Sequence, residues 1–102
     1  MHLKPEDTII VTNNRAMVDY LERDHDIHGI VKGRVTADEV KGKHVIGEIP
    51  AIAAKNAFCV TSINYKRPVK HYGESYEDIK EAEPELFTYV IVPIIDTDPT
   101  DY

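Results

Sequence analysis

A chain of 102 residues, 42% hydrophobic and 29% charged, has the make-up of one ordinary globular domain, long enough for a single core and too short for two. Its formal net charge of -6 argues against an extended double-stranded nucleic-acid partner, which needs a basic face to release counterions. A small anionic ligand is not excluded, because cations gather locally at Lys32 and Arg34, at Lys41 and Lys43, and at Lys66, Arg67, Lys70 and His71.

No stretch approaches the length that crosses a bilayer, and Met1-His2-Leu3-Lys4-Pro5 lacks an apolar signal segment, so the expectation is a cytoplasmic protein with no membrane partner. Ile9, Ile10 and Val11 form a short apolar run closed by Thr12-Asn13-Asn14-Arg15, which predicts a buried strand. Apolar residues then recur at Met17, Val18, Tyr20 and Leu21, a helical spacing that ends near His25-Asp26. Gly29-Ile30-Val31 predicts a second strand, and Thr36-Ala37-Asp38-Glu39 has capping-box spacing, which suggests one turn of helix.

His44-Val45-Ile46 predicts the third strand, followed by Gly47-Glu48-Ile49-Pro50 and a helix over Ala51 to Ala57, with Pro50 pre-setting its first turn. Val60 to Ile63 predicts a fourth strand, with the lone Cys59 as packing rather than a nucleophile. A long polar loop is expected from Asn64 to Glu74. Ser75-Tyr76-Glu77-Asp78 opens a helix that reaches about Ala82, where Pro84 stops it. Leu86 to Ile95 predicts the last strand, broken or ended at Pro93, and residues 96–102 an acidic, frayed tail.

Strands alternating with helices at this spacing predict βαβ units, hence an α/β fold in which a mostly parallel sheet carries helices on both faces of a single domain. Such sheets bind ligands beyond the carboxyl ends of their strands. Two loops fall there, Thr12 to Arg15 and Gly47 to Pro50. A helix start offers unpaired amides and about half a positive charge to a phosphate. Thr12, Asn13 and Asn14 add polar side chains, and Arg15 adds a planar fork. The same residues would also serve as a plain helix cap beside a solvated arginine.

The most basic loop, Asn64-Tyr65-Lys66-Arg67-Pro68 with Lys70-His71, sets an aromatic ring among cations, a combination suited to a base and its phosphate. Dinucleotide and phosphate-loop glycine motifs are missing from the sequence. His25, His28, His44 and His71 lack metal-ligand spacing, so neither a metal nor a cofactor is expected.

The run "HVIGEIP" with the alanine-rich "AIAAKNAF", then "YKRPVKHYGES", "YEDIKEAE" and "FTYVIV", resembles the small CRISPR-accessory proteins of the Csx series, the sixteenth member in particular. The resemblance spans most of Thr8 to Val92, and its most specific piece is Val45 to Ala54. It implies a Rossmann-like fold related to the ligand-sensing (CARF) domains of CRISPR effectors. It also implies a ring nuclease that binds and cuts cyclic tetra-adenylate, the messenger of type III CRISPR defence, as a homodimer. A two-fold cyclic ligand is matched most simply by two identical subunits.

On that reading Arg15 stabilises charge, Asn13 and Asn14 orient the ribose-phosphate, and Thr12 with Gly47, Glu48, Ile49 and Pro50 cradles it. Lys66, Arg67 and Lys70 neutralise phosphates or close over the ring. The family pattern carries a basic residue and a histidine where this chain has Asn13 and Asn14. Loss of an acid-base group bears on rate more than on binding, so a non-catalytic nucleotide sensor or sponge is the alternative. Docking of a basic partner on the acidic face and tail is a third, weaker option.

Overall fold

The computed structural model describes residues 5–92 and Ile94. Five strands, β1 (Thr8–Val11), β2 (Ile30–Lys32), β3 (His44–Ile46), β4 (Cys59–Tyr65) and β5 (Pro84–Tyr89), form one sheet in the order β2-β1-β3-β4-β5. β1 runs parallel to β2 and β3, and β3 parallel to β4, whereas β5 closes the sheet antiparallel to β4. Three helices, α1 (Arg15–His25), α2 (Ala51–Ala54) and α3 (Tyr76–Glu81), complete the α/β architecture with short turns at Pro5–Asp7 and Lys70–Gly73.

Side chains alternate across the strands, and that alternation builds two cores. On one face Ile10 of β1 and Ile46 of β3 pack against Ala16, Met17, Tyr20 and Leu21 of α1 and Ile79 of α3. Val45, one residue from Ile46, packs on the other face with Val40 and with Ala53 of α2. Small alanines let the short α2 lie close to the sheet. Helices therefore cover both faces, heavily on the α1–α3 side and thinly on the α2 side. Cys59 is buried, and burial pushes its thiol pKa up, as a packing residue requires.

Several elements differ from the sequence expectations, each for a local reason. At Thr36 the hydroxyl does accept from the Glu39 amide (3.2 Å), but the Glu39 carboxylate is drawn to Lys32 (2.7 Å), and the segment is a turn rather than a helix. Pro50 sits in extended backbone just before α2, so the helix starts at Ala51 and uses the Pro50 carbonyl for the Ala53 and Ala54 amides. It ends at Ala54 instead of Ala57, because Asn56 is tied to Ala37 and Gly42 and Phe58 to Lys43.

β4 runs on to Tyr65, since β5 pairs with it as far as Tyr65 opposite Pro84. Pro84 thus opens β5 as well as following α3, a place where a missing amide is tolerated on an edge strand. β5 ends at Tyr89, short of the expected Ile95; Pro93 and the acidic tail of residues 96–102 lie outside the described residues. Among the described residues no helix is long and apolar enough to cross a membrane.

Candidate functional site

Strand order 2-1-3 means that the chain leaves β1 toward one side of the sheet and later returns to its other side at β3. The connections therefore diverge at the carboxyl ends of β1 and β3 and open a crevice between them, the usual ligand position in open α/β sheets. Thr12 to Arg15 follows β1 and Gly47 to Pro50 follows β3, so both candidate loops lie at this crevice.

Its floor depends on Gly47. At φ +126° Gly47 adopts a backbone conformation open to glycine, and a Cβ there would collide with the carbonyl oxygen of Val11. The Gly47 amide donates to the Thr61 carbonyl (2.9 Å), which fixes the end of β3 against β4. One part of the crevice, about 160 Å³, lies among Val11, Thr12, Met17, Gly47, Glu48, Ile63 and Tyr65. A second, wider pocket of about 430 Å³ lies among Thr12, Asn13, Asn14, Arg15, Tyr72 and Glu74, so Thr12 borders both.

The start of α1 is assembled by its own side chains. Thr12 Oγ1 accepts from the Asn14 amide (3.0 Å), and Asn14 Oδ1 caps the helix by accepting from the Ala16 amide (2.9 Å). Asn14 Nδ2 donates to the Gly73 carbonyl (2.9 Å), joining the start of α1 to the loop before α3. These bonds leave the Arg15 amide without a partner among the described residues. The Arg15 side chain is 80% exposed and only loosely paired with Asp19 (3.7 Å), so its guanidinium is available to a ligand. Asn13 is exposed, with its side chain against Gly33 beyond β2.

The structure thus brings Thr12, Asn13, Asn14 and Arg15 to one pocket and Gly47 and Glu48 to another, with Thr12 on the wall of both. Ile49 packs toward the α2-side core, and Pro50 stands exposed at the start of α2. Lys66, Arg67 and Lys70 go elsewhere. Lys66 bonds to Glu85 (2.9 Å), which together with the charge of Glu85 raises its pKa, and Arg67 bonds to Glu83 (3.1 Å). Arg67 and Lys70 line a separate cleft with Pro68, Glu81 and Glu83. Tyr65 shares the face of Ile63 and lines the smaller pocket, while the chain past it runs beside the connection between α3 and β5, the Lys66 and Arg67 amides donating to the Glu83 and Ala82 carbonyls.

Sequence reasoning missed Tyr72 and Glu74 as crevice residues, since the Asn14 to Gly73 bond that delivers them spans 59 positions. Among the described residues no histidine lines either pocket: His71 bonds to Asp78 (3.1 Å), His28 to Asp26 (2.9 Å) and His25 to Tyr20 (3.0 Å). His44 Nε2 lies 2.6 Å from Thr61 Oγ1 at the opposite end of β3, and burial lowers its pKa. The chain has no significant match among protein-family models, curated proteins or solved structures.

Proposed function

We propose that the crevice between β1 and β3 binds a nucleotide phosphate and that its ligand is a cyclic oligoadenylate, cyclic tetra-adenylate above all. The observation that carries this reading is the placement of Thr12 to Arg15 and of Gly47 to Glu48 around two pockets that share Thr12, beside an exposed, loosely paired arginine. The resemblance of Val45 to Ala54 and the segments around it to a CRISPR ring-nuclease family supplies the ligand class.

The chemistry asks little of the protein. The 2′-hydroxyl oxygen of a ribose forms a bond to the adjacent phosphorus, the bond from phosphorus to the 5′ oxygen breaks, and the proton ends on that leaving oxygen. Each cut leaves a 2′,3′-cyclic phosphate and a 5′-hydroxyl, with no water consumed. The crevice would hold the ribose in line, while Arg15 and its amide meet the negative charge that grows on the phosphorane. Asn14, with both polar ends of its side chain in use, acts in this scheme by positioning Arg15 and the Arg15 amide. A two-fold ligand would take one such crevice from each of two subunits.

Incubation with cyclic tetra-adenylate in excess chelator, followed by chromatography, tests this reading. Linear fragments ending in 2′,3′-cyclic phosphate are expected, and intact ligand after many hours at high protein concentration would remove the cleavage claim. A second reading, binding without cleavage, is favoured by the lack of a histidine at the crevice among the described residues. Tight calorimetric binding of a ligand that mass spectrometry finds unchanged would select it.

A further inference from the structure

The loop before α3 contains three consecutive residues in left-handed backbone: His71 (φ 51°), Tyr72 (φ 56°) and Gly73 (φ 70°). Single residues visit this region; a run that includes two side-chain-bearing residues is held there by its surroundings. Three contacts hold it here. Asn14 Nδ2 grips the Gly73 carbonyl, and His71 pairs with Asp78 of the α3 capping box. Gly73 itself is packed so tightly that a Cβ would press on Ile79 Cδ1 (2.9 Å) and Val69 Cγ1 (3.1 Å).

The residue displayed by this arrangement is Tyr72, 95% exposed and contributing nothing to either core. Its ring flanks the same crevice as Asn13 and Arg15, with Glu74 beside it. A costly backbone that presents an aromatic ring to solvent is unexplained by packing and is explained by a flat ligand. We infer that Tyr72 is a stacking platform for a nucleobase and that Glu74 reads the base by accepting a hydrogen bond from its exocyclic amine. A base on Tyr72 would set its ribose-phosphate toward Arg15. An adenine, which donates from its 6-amino group, suits the carboxylate; hypoxanthine, which places a carbonyl oxygen there, is repelled by it. Every base has a π face, so stacking supplies affinity and Glu74 supplies discrimination.

The inference deepens the proposed function and rests on it for the larger ligand, so the test uses two probes, cyclic tetra-adenylate and adenosine monophosphate, with inosine monophosphate as the comparison. NMR titration should shift the Tyr72 ring protons upfield. Tyr72→Phe should keep wild-type affinity for both adenylates, and Tyr72→Ala should weaken it about tenfold. Glu74→Ala should erase the preference for adenosine over inosine monophosphate. Tyr72→Gly should melt no lower than wild type while binding as weakly as Tyr72→Ala, which a purely structural Tyr72 would not do.

Cyclic tetra-adenylate bound equally by wild type and Tyr72→Ala would overturn the platform and leave the proposed function standing. Binding of adenosine monophosphate through Tyr72 with no binding of the cyclic ligand would do the reverse. Failure of wild type to bind either probe would overturn both.

Discussion

Arg15 and Arg67 line different clefts of this molecule and differ in what surrounds them. In the cleft past β4, Arg67 is held by Glu83 at 3.1 Å and its neighbour Lys66 by Glu85 at 2.9 Å, so the most basic loop of the chain is largely self-neutralised. At the start of α1, Arg15 has only Asp19 at 3.7 Å among the described residues, and the adjacent backbone is shaped by Asn14 and Thr12. A count of cations along a chain therefore points to a cleft whose cations are largely paired. Strand order and the partner of each cation point to the other.

The largest effect expected from breaking this contrast is on the crevice floor. Gly47→Ala forces a Cβ onto the Val11 carbonyl in a backbone region hostile to it, and urea denaturation should register a loss of about 3 kcal/mol or more. Asn14→Ala removes a helix cap and strips the Gly73 carbonyl of its partner, which together should cost about 2 kcal/mol in the same measurement. It should also weaken ligand binding, because the Tyr72 loop loses its tie to α1.

Arg15→Ala separates function from fold. Calorimetry should find cyclic tetra-adenylate bound at least about tenfold more weakly, about 1.4 kcal/mol, with stability changed by less than about 0.5 kcal/mol. A smaller effect concerns pH and lies away from the crevice. Burial lowers the folded-state pKa of His44 below its ordinary 6.5, so the unfolded chain takes up a proton more readily. The contribution of neutral His44 is complete above the unfolded pKa and is lost as pH falls through the lower folded value. Melting temperature should accordingly drop on acidification below about pH 6.5, and His44→Asn should flatten that part of the profile. The smallest effect is expected from the double variant Lys66→Ala with Arg67→Ala, whose exposed pairs should leave ligand affinity within error.

Local signals carried much of this far. β1, α1, β3 and the Ser75 capping box stand within a residue or so of where periodicity and caps put them, because each is specified by neighbours in sequence. The turn at Thr36, the early end of α2 and the extension of β4 were hidden, since each is decided by a distant partner: Lys32 for Glu39, Ala37 for Asn56, β5 for β4. The site follows the same rule. Thr12 to Arg15 and Gly47 to Glu48 are legible as helix starts beyond parallel strands, whereas Tyr72 and Glu74 join them through one long-range hydrogen bond. The pairing of Lys66 with Glu85 and of Arg67 with Glu83 was hidden because β5 and the residue before it are brought beside β4 by a strand pair that no local pattern announces.

Amide chemical-shift mapping with cyclic tetra-adenylate tests the central claim most directly, since one titration reads both clefts at once. The account predicts perturbations centred on Thr12 to Ala16, Gly47, Glu48, Tyr72 and Glu74, with Arg67, Lys70 and Glu81 unmoved. Perturbations centred on Arg67, Lys70 and Glu81, or none anywhere, would contradict it.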